Sequence, residues 1–436
     1  MTLALGVAGA AAIAAPASAQ GIPQGTAEPA LTRRQAVDSA LTRRQAVDTA
    51  LAHNPQLQVA REQVDQARAR VVEAVAFPDL TLSGDVTGQS RLTRPGSATG
   101  HDLGLGISVP FPSKFHLRGV MGRADVASGE FGLVQLEQQT ASLTAQAYDA
   151  LLVAGRHHAD LVEGRRLAQE FLEKTQARYG AGTVAGLDVL KARVELAQAD
   201  NDLIANERDL ANARAALNRL MGRLLGAPLA AADTLEVPPP PPDLAALEDT
   251  ARAERPELKS LASQQHGASA AASLARAFWL PDLSVGVEQN AAVGTPSTYT
   301  TSVGFSLPLF FWNHTRGEVA EARHRELELS ASSRDLAAQV DQDVRTTYAA
   351  AATALRQALW LRDQLLPEAR RAYDVSLVSY GLGGSSALDV LDARRTLLDA
   401  ESQYAEALGA ANDAHADLER AIGRPLDTVS GGTGDR

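Results

Sequence analysis

The chain is written twice. Tyr179–Arg193 (YGAGTVAGLDVLKAR) returns as Tyr380–Arg394 (YGLGGSSALDVLDAR), 201 residues later. Leu217–Gly222 (LNRLMG) returns as Leu418–Gly423 (LERAIG), and Asn54–Leu57 (NPQL) as Arg255–Leu258 (RPEL), both at the same offset of 201. Phe77–Gly84 (FPDLTLSG) matches Leu280–Val287 (LPDLSVGV) at an offset of 203, and Leu105–Phe111 matches Val303–Leu309 at 198. Five matches in one order mark a tandem duplication of a unit of about 180 residues. The expected units are 41–222 and 244–423, with a Pro-rich linker at 223–243 that contains the run Pro238–Pro242, a stiff polyproline-II spacer.

Each unit reads as a helix, two strands, a long helix, a turn and another long helix. In the first unit the expected elements are a helix over 42–77, strands near 80–90 and 102–111, a helix over 113–179, a break at Gly180-Ala181-Gly182 and a helix to 222. In the second they are a helix over 245–279, strands near 283–293 and 299–309, a helix over 314–380, a break at 381–384 and a helix to 423. A helix of about 65 residues spans about 100 Å, more than a globular domain needs.

The last helix of each unit carries a heptad. Val189, Leu196, Leu203, Leu210 and Leu217 recur every seven residues, beside Ala192, Ala199, Asn206, Ala213 and Leu220. The second unit repeats this with Val390, Leu397, Tyr404, Ala411 and Leu418, beside Ala393, Ala400, Ala407, Ala414 and Ala421. Such helices supercoil against neighbours. A second row, Leu190, Ala197, Ile204 and Ala211, gives the first of them two seams, as a helix in the wall of a tube needs. An ordinary antiparallel coiled coil satisfies the heptad equally well.

The four strands have about ten residues each, the length of a tilted crossing of a bilayer. They alternate, with Leu103, Leu105, Ile107, Val109 and Phe111 in one and Tyr299, Thr301, Val303, Phe305, Leu307 and Leu309 in another, and Gly and Ser fill many positions between. Aromatic residues are only 4% of the chain. Phe111, Trp279, Phe310, Phe311 and Trp312 nevertheless gather at one end of the strands, where a membrane girdle is expected. Two hairpins covering a soluble core are the alternative. No stretch is apolar for about 18 residues, so a membrane location requires a β-barrel. Four strands are too few to close one, so other copies must pair the edges.

Several function classes are excluded. A net charge of −11 leaves no basic footprint for nucleic acid. With no cysteine there is no disulfide, thiolate metal site, thiol nucleophile or lipid-acceptor Cys. Hydrolase, metalloprotease, P-loop and dinucleotide motifs are lacking, so neither an enzyme nor a cofactor is expected. His157 and His158 are adjacent and diverge on a helix, which points to a solvated face rather than a metal site. Arg165, Arg166, Arg370 and Arg371 read as a solvated face as well.

The N-terminus carries two further features. Residues 1–19 resemble a secretory signal, apolar and ending at Ala17-Ser18-Ala19, though without a basic start. LTRRQAVDSA at 31–40 is followed at once by LTRRQAVDTA at 41–50. Ten residues turn a helix by about 280°, so the copies cannot present one face to one partner. The second is expected to dock, with 20–40 a loosely held extension and 424–436 a disordered tail.

The duplicated units, PDL before a strand, the SVPF and SLPL hairpin ends, and YxxG followed by LDVLxAR at a helix turn together resemble the TolC-like outer-membrane efflux family, over 41–423. Leu307–Arg323 (LPLFFWNHTRGEVAEAR) is most similar to the branch serving heavy-metal cation exporters. The resemblance implies a mainly α protein with membrane β-strands. Long coiled-coil helices would form an α-barrel, and four strands per protomer would enter a trimeric twelve-stranded β-barrel. It implies a homotrimer in outer-membrane lipid, working with a periplasmic adaptor and an inner-membrane pump as a passive exit duct. The tips at Tyr179, Gly180, Gly182 and at Tyr380, Gly381, Gly383 would meet the adaptor. Asp389 and Asp392 would line the periplasmic entrance, with Asp188 matching the first and Lys191 standing where the second acid would be. Many members carry an acylated N-terminal Cys; without one, the barrel is expected to hold the membrane alone. A periplasmic coiled-coil scaffold or adaptor without a pore is the other reading.

Overall fold

The computed structural model describes residues 40–88, 99–306 and 311–426. The signal segment, the first copy of the duplicated decapeptide apart from Ala40, Leu307–Leu309, Phe310 and the end of the tail lie outside them.

Each half opens with two short helices rather than one. In the first half α1 (Arg43–His53) and α2 (Pro55–Ala74) meet at Asn54. In the second, α5 (Leu244–Glu254) and α6 (Pro256–Arg276) meet at Arg255. The prolines cause the breaks, since the residue before a proline is pushed out of the helical region and the ring cannot donate. Asn54 uses the break twice: its Oδ1 caps α2 through the Gln56 amide at 2.8 Å, and its Nδ2 donates to the Leu220 carbonyl at 2.9 Å. Arg255 stands at the matching place and donates to the Arg420 carbonyl at 3.4 Å.

The long helices are α3 (Pro112–Gly180) and α4 (Gly186–Leu220) in the first half. In the second they are α7 (Phe311–Trp360), α8 (Leu366–Leu382) and α9 (Ala387–Ile422). With 69 residues, α3 runs for about 100 Å. The helix expected over 314–380 is interrupted by a π-turn at Leu361–Leu365. Pro367 follows it at the start of α8. A proline inside a helix loses one bond and collides with the carbonyl four residues back, and the wider π-turn relieves both. No proline interrupts α3 after its first residue.

The breaks between the long helices fall within the expected glycine segments. Gly180 ends α3 and Gly381 lies within α8, while the turns are made at Gly182 and Gly383, with φ of 73° and 83°. These are left-handed C-terminal turns that glycine adopts without strain.

Among the described residues six strands form two sheets. The small one pairs β1 (Ala40–Leu41) with β4 (Ala230–Ala231) in parallel, so the segment after α4 returns to the start of the chain. The expected linker therefore does more than space the halves. Beyond β4, Leu235 and Val237 pack on the cluster of Ala358, Leu408 and Ala411, and the Glu236 carbonyl accepts from Asn412 at 2.9 Å. The expected tail also starts later, because Leu426 is buried with Leu418 and Ile422.

The larger sheet has the order β2 (Thr81–Thr87), β3 (Gly100–Val109), β5 (Asp282–Ala292), β6 (Thr298–Ser306), antiparallel throughout. The two halves meet at β3 and β5. Among the described residues there is no single core: four buried clusters are strung along the helices, and the heptad residues Val189, Val390, Leu397, Ala400, Ala411 and Leu418 enter them.

Candidate functional site

The register sorts every residue of the four-stranded sheet onto one of two faces. Leu82, Leu105, Val287 and Thr301 are cross-strand partners in one row. The same face carries Val86, Leu103, Ile107, Val109, Leu283, Val285, Tyr299, Val303 and Phe305, with the polar His101 and Gln289 towards the end away from the helices. The opposite face carries only Gly, Ala, Ser, Thr, Asp, Asn and Glu, including Asp85, Asp102 and Glu288. The apolar face is bare in the protomer: Leu82 is 70% exposed, and Val303 and Phe305 are similarly open. Among the described residues nothing pairs with the outer edges of β2 and β6. A sheet that is largely apolar on one face, polar on the other and open at both edges is unfinished by itself, since its edge groups await further strands.

A clamp ties this sheet to the helices. Lys114, in the first turn of α3, donates to the Leu280 carbonyl at 2.9 Å and to Asp282 at 2.8 Å. The Phe111 amide donates to the same carboxylate at 3.2 Å. Phe111 and Trp279 are exposed at this junction, at the sheet end where Val109 meets Leu283. Of the other expected girdle residues, Phe310 lies outside the described residues. Phe311 and Trp312 belong to the first turn of α7. The clamp was not legible in the sequence, since a lysine after a strand has no motif of its own.

At the far end of the long helices the two tips are unlike. Tyr179 is exposed, but its counterpart Tyr380 is only 2% exposed, which corrects the expectation that both tyrosines face a partner. Tyr380 stacks near Phe171 with centroids 5.4 Å apart, and its hydroxyl lies 3.3 Å from Thr175. Arg178 lies over the Tyr380 ring at 4.5 Å and donates to its carbonyl. The first tip thus grips the second. Around them Leu187, Leu190, Leu382 and Leu388 stay exposed.

The acidic residues also differ. Asp389 sits in a capping box: its carboxylate accepts from the Ser386 amide at 2.8 Å and hydroxyl at 2.9 Å. These bonds, the backbone one first, hold its carboxyl below the usual range. Asp392 is exposed, with no side-chain ion pair among the described residues. Asp188 faces Lys191 at 4.0 Å, and Ala185 stands where Ser386 caps the other helix.

A buried arginine was missed in the sequence. Arg394, inside the repeated LDVLDAR motif, is 3% exposed. It bonds the Glu195 carboxylate on α4 and donates to the Gly164 carbonyl on α3 at 2.7 Å. Its counterpart Arg193 is exposed. The histidines also depart from expectation. Instead of a solvated face, His158 lies 3.0 Å from Asn206 on α4 and His157 lies 3.1 Å from Ser402 on α9, so the divergent pair bridges three helices. Arg165, Arg166 and Arg371 are exposed as expected and engage Asp200, Glu163 and Glu368. Among the described residues no group of three His, Asp or Glu could hold a metal.

Near the linker, Asp413 on α9 faces Asp149 on α3. Burial first, then the charges of Asp149 and Asp417, push the Asp413 carboxyl up to about 6, against the pull of Arg43. The folded state therefore holds a proton that the unfolded chain releases near pH ~4, and stability falls as pH rises between those values. Asp413→Asn should raise the thermal midpoint at pH ~7.5 and change it little near pH ~4. Thermal scans that show the same shift at both pH values would exclude this account.

The sequence pattern of the family described as "Outer membrane efflux protein" matches residues 46–223 and again 247–424. The chain belongs to the outer membrane efflux protein family. The two matched spans lie 201 residues apart, the offset of the internal repeat. The efflux family member is 26% identical to the pyoverdine export outer membrane protein OpmQ of Pseudomonas putida, over 85% of this chain and 83% of that one. It is 25% identical to the cobalt-zinc-cadmium resistance protein CzcC of Cupriavidus metallidurans, over 85% and 87% of the two chains. Its fold matches a crystal structure of CusC with a TM-score of 0.76 at 19% identity, covering 88% of this chain and 92% of that one. The family places the protein in the outer membrane, and the expected relation to TolC-like and metal-efflux members holds. Among the described residues no helix is long and apolar enough to cross a membrane.

Proposed function

We propose that three copies of this chain form a passive exit duct of a tripartite efflux system, carrying substrates from the periplasm to the exterior. The observation that carries this reading is the two-faced sheet with open edges, clamped to a helix about 100 Å long. Three sheets of four strands supply the twelve that a closed barrel can use, with the apolar face to lipid and the Ser-, Thr- and Gly-rich face to the lumen. The row Leu190, Ala197, Ile204 and Ala211 is exposed on α4, as a seam awaiting a neighbouring protomer would be. A scaffold without a pore has no use for the sheet. The exposed leucines and Tyr179 at the tips suit an adaptor, and an inner-membrane pump supplies the energy. Heavy-metal cations are the proposed cargo, by likeness to the cobalt-zinc-cadmium resistance relative.

Asp392 of each copy, with Asp389, would place six carboxylates around the entrance, attracting cations and repelling one another. Reconstituted in planar bilayers, the protein should conduct, and on a gel it should run as a heat-sensitive oligomer. Asp389→Ala with Asp392→Ala should raise basal conductance at least twofold by loosening that entrance. A soluble monomer without conductance would defeat the duct; unchanged conductance in the double variant would leave Asp389 as a helix cap and Asp392 as a solvated acid.

A further inference from the structure

The slot that receives α1 has two matching occupants in the same chain. Ala40–Leu51 reads ALTRRQAVDTAL, and Ala30–Leu41 reads ALTRRQAVDSAL, differing only at Thr49 and Ser39. Each contact that docks the first of these stretches has a twin in the other. Ala40 and Leu41 pair with Ala230 and Ala231. The Leu41 carbonyl accepts from the Tyr148 hydroxyl at 2.8 Å and from the Ala232 amide at 2.9 Å. Thr42 and Gln45 form a capping box. The Arg43 amide donates to Asp233 at 2.7 Å, and its guanidinium to Asp149 at 2.9 Å. Ala46 and Ala50 are wholly buried. Thr49 donates to the Gln45 carbonyl at 2.7 Å, a bond a serine makes equally well.

We infer that the α1 slot accepts either copy, so that the N-terminus docks in two registers ten residues apart. In the shifted register Ala30 and Leu31 take the β4 edge, Thr32 caps, Arg33 meets Asp149 and Asp233, and Ala36 and Ala40 fill the buried sites. Leu41, Thr42 and Arg43 then stand where Leu51, Ala52 and His53 stood. Arg44–His53 are looped out before Asn54, which keeps its place at the end of α4. The contacts within the slot are matched, so the registers differ mainly by closing that loop, a cost that grows only slowly with length. The unshifted register, which closes no loop, is the major one. The first copy, 31–40, is a spare that holds the first half together when the docked copy is damaged.

The test places charge where only one register suffers. In Ala46→Asp/Ala50→Asp the docked copy can no longer pack, whereas Ala36 and Ala40 are untouched. The full-length double variant should keep its thermal midpoint within a few degrees of the parent, and the same variant lacking 31–40 should lose its cooperative transition. Brief trypsin digestion followed by mass spectrometry reads the register directly. In the full-length double variant, Arg33 and Arg34 should become protected and Arg44 should become the early cut. A full-length double variant as unstable as the truncated one, or one still cut first at Arg33 or Arg34, would overturn the two-register slot.

Discussion

Val287→Arg should abolish assembly in the outer membrane. Val287 lies midway along β5, with Leu105 beside it on β3 and Leu82 beyond on β2. An arginine at the bilayer midplane of a barrel costs about 2–4 kcal/mol, and each of three protomers would carry one. A substitution one residue along the pleat changes the other face. Thr300→Arg, opposite Glu288 across the β5–β6 pair, points its charge to the polar side and gains a carboxylate there. Yield of heat-sensitive oligomer from the outer-membrane fraction should fall to background for Val287→Arg and stay near the parent level for Thr300→Arg. Equal yields would mean that the two faces do not meet different solvents, and the membrane reading of the sheet would fall with them.

The second large effect is expected inside the helical tube. Arg394→Met should cost about 3–5 kcal/mol of stability, because it leaves the Glu195 carboxylate facing an apolar side chain. Burial already disfavours the charged guanidinium, pulling its pKa below the ordinary value, while Glu195 works in the other direction. Replacing both partners removes the orphaned charge. Arg394→Met with Glu195→Met should therefore recover more than half of the loss, a non-additivity that thermal or denaturant unfolding of all three variants measures. Additive losses would show that Arg394 acts through packing alone.

The architecture was legible because repetition and periodicity are properties of spacing. The offset of 201 located both pairs of long helices, and alternation in Leu103–Val109 and Tyr299–Phe305 located strands to within a few residues. Prolines mark the remaining helix boundaries. Asn54-Pro55 and Arg255-Pro256 each split a helix, and Pro367 accounts for the π-turn; all three are plain in the sequence. What spacing could not supply was the difference between equivalent residues. Tyr179 and Tyr380 align, as do Arg193 and Arg394, yet in each pair the first is exposed and the second is buried. Their fates depend on which helix of the other half lies alongside, and a pattern internal to one half carries no record of that. The Lys114–Asp282 clamp and the bridges from His157 and His158 were hidden for the same reason.

The pairing of β3 with β5 has a consequence for how the halves belong together. The strands at that junction come from opposite sides of the proline run, and α3 and α6 reinforce the junction through Ser128 and Ser260 at 2.9 Å. The covalent thread between the halves is thus a minor part of their union, and a molecule nicked among those prolines would remain one body. Because the grip is so distributed, from the sheet through the paired serines to Arg178 over Tyr380, no single contact decides whether the halves stay together.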